Sequence, residues 1–451
     1  DADLDWAVMA GREMFVCLSG YPLSPWQRKH PYPVKMRKYP WGTGGGFPDL
    51  ERYGYFLREV GKRYKDKVLM WEVENEPNSS FMPKNPEDYA KLSATVNKNI
   101  KVHNPKSIIF GISGTSNFVK WMDKVFKAGG WKEFDAISWH TYTTPKQPDD
   151  ANLPRMLKQA KKCFPKPKLI YNSETGVLLA PRFKVDEALP DAVVAEKVKQ
   201  KDPKFVSRAA WPGAVNSERQ AAGSIVKNAT LNFLEGVKAF VFFGWNPDWP
   251  KAKTKSHSLS FSILKISNDG ERTPTLYMLA VGVLTAQMES LDLNKPYKPV
   301  QTFGVRGGIF TKANGGKLGI VWPTTPSSTA LITTDKPNLE IVTVFGESKT
   351  VKSNSKNNAN GKYLYVLKLD KLPVYIHSTG KVLDLLPSPV QKVAESSTGQ
   401  DKGLITFSLI NNLKTGQKLT LSGKASSGVK IVPESRTVEI APGKRNKVEF
   451  N

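Results

Sequence analysis

The strongest constraint on the fold is an alternation. Short, continuously apolar runs recur between stretches of helical periodicity over the first 290 residues. They begin near residues 14, 68, 107, 134, 168 and 238, at Met14–Gly20, Val68–Met70, Ser107–Gly111, Phe134–Tyr142, Lys168–Gly176 and Lys238–Trp245. Helices are expected from Asp49 to about Lys65, from Pro86 to about Val102, and over Phe118–Ala128, Pro154–Cys163, Ser217–Leu234 and Thr273–Met288, with Asp3–Met9 before them. Asp49 suits an N-cap, and Tyr53, Phe56, Leu57 and Val60 make one apolar face. Strands that are apolar throughout and separated by helices make a parallel sheet covered on its outer face. An open doubly wound sheet usually shows a glycine-rich phosphate turn after its first strand. Gly42–Gly46 lies instead in a long loop before Phe47-Pro48. The expectation is a (β/α)8 barrel with six of its eight strands in this chain.

After Ser290 the texture changes. Strand-like runs replace helices at Val300–Val305, Lys317–Val321, Glu340–Val344, Tyr363–Leu369 and Val374–Ser378, separated by turns such as Asn314-Gly-Gly and Asn360-Gly. Residues 291–386 therefore read as an antiparallel β-sandwich packed on the barrel of residues 1–290. Pro387-Ser-Pro389 reads as a linker. Residues 390–451 read as an Ig-like β-module, with strands near Leu404–Leu409, Lys418–Leu421, Thr437–Ile440 and Lys447–Phe450.

Composition narrows the function classes. The net charge is +25 at pH 7. The lysines are spread along the chain without the dense clusters of a nucleic-acid arm, so no nucleic-acid partner is expected. Two readings of the charge stay open, a solvated basic surface and attraction to an acidic glycan. No apolar run is long enough for a membrane span. Cys17 and Cys163 read as free thiols. The five histidines are scattered with no paired spacing, so neither a metal nor a cofactor is expected.

Chemistry is concentrated in two carboxylates. Val68–Met70 is a short strand that leads to Asn75-Glu76-Pro77-Asn78, where Pro77 stops any continuation. The run from Lys168 ends in Asn172-Ser173-Glu174-Thr175-Gly176. Carboxylates just past buried strands sit at the mouth of an α/β barrel. Cleaving a glycosidic bond needs one carboxylic acid to protonate the leaving oxygen and a second carboxylate to attack the sugar or activate water. The mutual field of two such groups raises the pKa of one. Glu72 and Glu74 share strand parity with Glu76 and are read as decoys, Glu72 as a satisfied carboxylate of the barrel interior. Trp139 is read as packing between barrel and helices. Two loops, Tyr21–Phe47 with Trp26 and Trp41, and Val177–Pro212, are candidate substrate surfaces.

These motifs together resemble the large clan of (β/α)8-barrel glycoside hydrolases whose catalytic glutamates end strands four and seven, which includes cellulases, mannanases, β-xylosidases and β-galactosidases. Trp71-Glu72-Val73-Glu74-Asn75-Glu76-Pro77-Asn78 carries the clan's Asn-Glu pair, and Glu174 ends the matching nucleophile strand. His140 and Tyr142 match the sixth strand and Trp245 the eighth. The resemblance covers about residues 1–290, and the sandwich fits an accessory β-domain that many members carry. It implies Glu76 as acid then base and Glu174 as nucleophile, with net retention. It further implies Asn75 on the substituent at sugar C2, Tyr142 holding Glu174, His140 in the subsite wall and Trp245 under the sugar. Asp248 and Trp249 are either subsite lining or ordinary loop.

The chain departs from that clan at its start. Clan members usually carry a supporting arginine on the second strand, and here strands one and two have no counterpart. The expectation is that Asp1 is a processed or cut end, and that the remainder of the same chain or a partner fragment completes the barrel. The function expected is a retaining β-glycosidase acting on a poly- or oligosaccharide, at the cell surface or outside the cell. The alternative is a non-catalytic glycan-binding or matrix protein on a barrel scaffold.

Overall fold

The structure is a computed structural model that describes residues 2–11, 13–18, 47–79, 85–115, 118–142, 149–177, 218–243, 264–266, 272–324, 328–353, 356–357, 362–386, 390–399, 402–411, 416–422 and 430–451. Two compact units emerge, residues 1–217 with 231–273, and residues 218–230 with 274–451.

Up to residue 242 helix and strand alternate in chain order: α1 (Ala2–Met9), β1 (Phe15–Cys17), α2 (Leu50–Tyr64), β2 (Met70–Glu72), α3 (Pro86–Ile100), β3 (Ile108–Gly114), α4 (Phe118–Lys127), β4 (Ala136–His140), α5 (Asp149–Lys162), β5 (Leu169–Thr175), α6 (Glu218–Leu234), whose residues 218–230 are assigned to the second unit, and β6 (Ala239–Phe242). The six strands form one sheet in the order β1-β2-β3-β4-β5-β6, and every pairing is parallel. All six strands read from the sequence are present. Asp49 caps α2, its carboxylate accepting from the N–H groups of Glu51 and Arg52 at 3.1 and 3.4 Å. Asn85 caps α3 in the same way, with Pro86 opening the helix. α5 begins before Pro154 rather than at it.

The sheet is curled. Strands lie about 4.8 Å apart, so β2 and β5 would be about 14 Å apart in a flat sheet. Glu72 on β2 nevertheless accepts a hydrogen bond from Ser173 on β5 at 2.5 Å. Below that contact, Phe15, Phe110 and Tyr171 from the odd strands meet edge to face, with centroids 5.5 and 5.4 Å apart. This is the layered side-chain filling of a barrel interior, shared by alternate strands. On the opposite parity, Trp71 and Trp139 are fully buried. The sheet is therefore covered outside and filled inside.

A two-stranded sheet of β7 (Leu264–Ile266) and β8 (Arg272–Pro274) follows, then α7 (Leu276–Glu289), capped by the Thr275 hydroxyl. The second unit is otherwise antiparallel. It holds β9 (Lys298–Thr302), β10 (Val305–Thr311), β11 (Lys317–Pro323), β12 (Ser328–Thr334), β13 (Asn338–Thr343), β14 (Ser348–Lys352), β15 (Lys356–Asn357), β16 (Lys362–Leu369), β17 (Val374–Ser378) and β18 (Leu383–Leu386). A six-stranded sheet, β14-β13-β17-β11-β10-β9, and a four-stranded sheet, β15-β16-β12-β18, share one apolar core. Ile309, Val321, Ile341 and Ile376 come from the first, and Ala330, Ile332, Tyr365 and Leu369 from the second. The single strand expected over Val300–Val305 is two, β9 and β10, because Gly304 at φ +79° turns the chain between them.

The C-terminal strands are β19 (Val390–Gly399), β20 (Lys402–Ile410), β21 (Gln417–Ser422), β22 (Ser435–Ile440) and β23 (Arg445–Phe450). They make sheets β19-β20-β23 and β21-β22 around Leu409, Ile440, Val448 and Phe450. β19 has no counterpart in the sequence reading, since its polar second half hides the alternation. Neither Cys17 nor Cys163 is in a disulfide. No helix among the described residues is long and apolar enough to cross a membrane. The loops expected at Tyr21–Phe47 and Val177–Pro212 lie, apart from their end residues, outside the described residues.

Gly307 offers a direct stability test. A Cβ there would stand 2.0 Å from the Ile320 carbonyl oxygen, at φ +155°. Gly307→Ala is expected to destabilise the second unit by about 2–3 kcal/mol. A lowered midpoint in its urea transition is the expected result, and an unchanged midpoint would contradict this packing.

Candidate active site

The backbone leaves extended geometry just after β2. Glu74 and Glu76 sit at φ +62° and +44°. Such left-handed conformations at non-glycine residues cost about 1–3 kcal/mol each and persist only where neighbours enforce them. Here the neighbours are explicit. The Ser79 N–H and hydroxyl both donate to the Glu76 carbonyl, at 2.8 and 2.7 Å. Asn78 donates to the Thr115 carbonyl at 2.6 Å and accepts from its N–H at 3.0 Å, tying this turn to the exit of β3. Tyr89, buried on α3, donates to the Val73 carbonyl at 2.8 Å and accepts from the Ile112 N–H at 3.0 Å. Ile112 and Ser113 are themselves at φ +88° and +41°, in a bulge against β4.

This conformation corrects the expected parity. Period-two alternation places Glu72, Glu74 and Glu76 on one face, but it holds only while the chain is extended. Glu72 is buried in the barrel interior and accepts from Ser113 Oγ at 2.7 Å and from Ser173 Oγ. It is the satisfied interior carboxylate expected of it. Glu74 is buried near Tyr53, whose phenol is pushed up first by burial and then by the charges of Glu74 and Cys17. Glu76 alone of the three is hydrogen-bonded to His140 of β4.

On β4 alternation does hold. Ser138 and His140 share a face, which Tyr142 continues past the strand end. Trp139 points the other way, against the Phe118 ring with centroids 5.8 Å apart. On β5 it fails in a useful way. Tyr171 and Ser173 face the interior, so a regular strand would turn Glu174 outward. The pairings of β5 with β4 and with β6 both skip one residue between Asn172 and Thr175. That bulge returns Glu174 to the inner side. Bulges that re-aim a side chain are common beside active sites.

The four groups meet at the C-terminal end of the sheet. His140 Nδ1 lies 3.1 Å from Glu76 Oε1 and 3.9 Å from Glu174 Oε1. The Tyr142 hydroxyl donates to Glu174 Oε1. One oxygen of Glu76, one oxygen of Glu174 and a ring nitrogen of His140 all lie within 4.8 Å of one another. Burial pushes the Glu174 carboxyl above the usual carboxylate range. His140 and the Tyr142 hydrogen bond pull it back, and the charges of Glu76 and Glu72 add to the rise. For His140, burial favours the neutral ring, but the hydrogen bond to Glu76 and the charges of Glu174, Glu72 and Glu76 outweigh it, so its pKa is raised. Glu174, at the end of β5, is raised mainly by burial, with the neighbouring carboxylates adding a smaller part.

Behind these groups lies a buried polar network. With the Asn172 amide set so that its nitrogen donates to the carbonyls of Trp139 and Glu174 at 2.9 Å each, its oxygen accepts from Thr141 Oγ1 at 2.7 Å. Thr141 Oγ1 in turn accepts from Asn232 Nδ2 of α6 at 3.3 Å, and the Thr175 hydroxyl donates to the Thr141 carbonyl at 2.6 Å. The network fixes the exit of β4, which carries Tyr142, against the end of β5, which carries Glu174.

The structure therefore brings together Glu76, Glu174, His140 and Tyr142. Asn75 is half-buried in the same turn, and among the described residues no hydrogen bond joins its side chain to the four. Trp245, Asp248 and Trp249 lie outside the described residues. Tyr89, Asn78, Ser79, Ser113, Ser138, Ser173, Thr141 and Asn232 were not singled out in the sequence. Ser138 and Ser173 carry the one usable signal, small hydroxyls at interior positions beside His140 and Glu174. Glu76, His140 and Glu174 are also the one set among the described residues spaced to hold a metal ion. The Nδ1 a metal would need is hydrogen-bonded to Glu76, and the raised pKa of His140 favours its protonated, non-ligating form. We read the set as a carboxylate pair bridged by an imidazolium.

Comparisons with known proteins agree on the fold. No family model matches the chain, and no curated protein sequence matches it. Among solved structures it is similar to a family 39 glycoside hydrolase from the gut symbiont Bacteroides cellulosilyticus WH2, at 18% identity and TM-score 0.52, over 83% of this chain and 76% of that one. It is also similar to the GH51 arabinofuranosidase from Xanthomonas axonopodis pv. citri, at 10% identity and TM-score 0.51, over 83% of this chain and 77% of that one. The chain has the barrel-plus-β-domain fold of these glycoside hydrolases.

Tyr142→Phe tests the site's electrostatics. The hydroxyl lowers the Glu174 pKa, so its removal raises it. Glu174 is the single carboxylate of tryptic peptide 169–182. Its modification by a water-soluble carbodiimide, which requires the protonated acid, is expected to persist to higher pH in Tyr142→Phe. A shift to lower pH would contradict the hydrogen bond.

Proposed function

We propose that this protein is a retaining glycoside hydrolase acting on β-linked carbohydrate. The observation that carries the reading is the approach of Glu76 and Glu174. One oxygen of each lies within 4.8 Å of the other, from just past β2 and from the end of β5, with two strands between them. Retaining enzymes hold their carboxyl groups about 5–5.5 Å apart, whereas inverting enzymes leave about 6.5–9.5 Å for a water.

In this reading Glu174 attacks the anomeric carbon as a carboxylate, and Glu76 gives its proton to the departing glycosidic oxygen. The C–O bond of the substrate breaks as the Glu174–sugar ester forms. Glu76, now a carboxylate, takes a proton from water, which attacks the same carbon and releases Glu174. Two inversions give net retention. Burial raises the Glu174 pKa in the free site, so a proton held there passes to Glu76, which then serves as the acid, before attack, and Tyr142 and His140 both favour the ionised Glu174. His140 between the carboxylates offsets their repulsion. Asn75, on the Glu76 turn, is assigned to the substituent at C2. The basic surface suits an anionic glycan, and action outside the cell or at its surface is part of the proposal.

The roles separate on an aryl β-glycoside with a good leaving group, which needs no proton. Glu174→Gln is expected to lose turnover by at least about a thousandfold with no burst of phenolate. Glu76→Gln is expected to keep the burst and then stall as the ester accumulates. Glycan binding with no turnover in the unaltered protein would favour the non-catalytic reading.

A further inference from the structure

Beneath the two proposed catalytic carboxylates is a third, Glu72, that the mechanism does not use. It is 2% exposed, and its described partners are two serine hydroxyls. Ser113 lies on the neighbouring strand β3, and its hydroxyl and N–H also meet Ser138 Oγ on β4, at 3.3 and 3.1 Å. Ser173 lies on β5, three strands from β2, and is the residue before Glu174. Glu72 is four residues before Glu76 on the same strand. A single carboxylate oxygen therefore joins the strand of one catalytic glutamate to the strand of the other, through the barrel interior and one residue short of the site.

The geometry has two consequences. First, the bond to Ser173 sets how far β2 and β5 stand apart directly under Glu76 and Glu174. It also holds Ser173 inward at the bulge that turns Glu174. Second, a buried carboxylate whose described hydrogen-bond donors are neutral hydroxyls keeps a field at close range, because the low-dielectric interior screens it little. The described titratable groups acting on Glu174 are His140 and Tyr142 from β4 and its exit, and Glu76 and Glu72 from β2 and its exit. Those acting on His140 are Glu76, Glu174 and Glu72. Glu72 acts on both in the same direction, toward the protonated form. A serine or apolar residue would fill this interior position without the desolvation cost of a charge.

We propose that Glu72 is a positioning residue, which fixes the spacing of Glu76 and Glu174 through Ser173 and keeps a proton on the Glu174–His140 pair in the empty site. The second half gives the free protein a resting state in which the nucleophile is held back until the site is filled. The proposal rests on the catalytic reading of Glu76 and Glu174, but its main test does not need turnover.

Glu72→Gln keeps the shape and an acceptor oxygen and removes the charge. Ser173→Ala removes the cross-barrel bond and keeps the charge. Carbodiimide modification of peptide 169–182 is followed against pH, and thermal melting confirms that each variant is folded. The Glu174 side chain is 23% exposed, enough for the reagent to reach it. In Glu72→Gln the midpoint of modification is expected to move to lower pH, because a like charge has been removed. An unmoved midpoint, or a move to higher pH, in folded Glu72→Gln overturns the proposal whatever the activity does. On the best aryl β-glycoside, Ser173→Ala is expected to lower kcat by at least about tenfold with KM little changed, as for misplaced catalytic groups. Unchanged kcat in folded Ser173→Ala overturns the spacing half. If the unaltered protein cleaves no glycoside, the proposed function fails, while the midpoint shift still decides the role of Glu72.

Discussion

Two carboxylates cannot be brought within a few ångströms in a partly buried site without a third group to hold them. With oxygens within 4.8 Å of each other their repulsion is severe unless a proton or a cation intervenes. His140 supplies that group. Its ring is buried, its Nδ1 lies 3.1 Å from Glu76 Oε1, and the surrounding charges raise its pKa in spite of burial. The rest of the site follows from keeping this triplet in place. Tyr142 donates to Glu174 from the strand that carries His140. The Asn172–Thr141–Asn232 network then locks that strand's exit to β5.

The barrel contributes by being irregular where chemistry needs it. Its lower layer, Phe15, Phe110 and Tyr171, is ordinary interior packing. Above it the pattern breaks at or just past three of the strands around the site, while β4 stays regular. β2 turns left-handed at Glu74 and Glu76, β3 at Ile112 and Ser113, and β5 takes an extra residue at Ser173–Glu174. Strain of this kind is an expense that the surrounding packing offsets, through Tyr89, Asn78 and Ser79 at β2 and through Glu72 at β5. Buried polar networks that are fully bonded rigidify such regions, which suits a site whose catalytic spacing must hold to a fraction of an ångström.

The fold was legible because its signals are periodic. Six apolar runs and the helices between them gave the parallel sheet, since a strand buried on both faces needs Val68, Ile108, Ile109 or Ile170 wherever it passes. Caps such as Asp49 were readable from one residue. The break between strands at Phe303-Gly304 was missed because Gly304 is the only local mark of the turn. β19 was missed because Ser396, Ser397 and Thr398 carry no apolar alternation. In the site, Glu76, Glu174, His140 and Tyr142 were legible from their places at strand ends. The orientation of Glu174 was not, because it depends on a bulge that exists only relative to β4 and β6. Nor could parity separate Glu72 from Glu76, since positive φ at Glu74 is enforced by contacts from α3 and β3. These are non-local conditions, and they fall where chemistry and local preference disagree.

The central claim is that Glu174 becomes covalently bonded to sugar. The measurement is incubation with a panel of 2-deoxy-2-fluoro β-glycosides that carry good leaving groups, followed by mass spectrometry of the tryptic digest. The account predicts one added fluoroglycosyl group on peptide 169–182, at Glu174, with loss of the adduct on prolonged incubation in buffer. An adduct on another carboxylate, or a first product of inverted anomeric configuration by NMR, would contradict it.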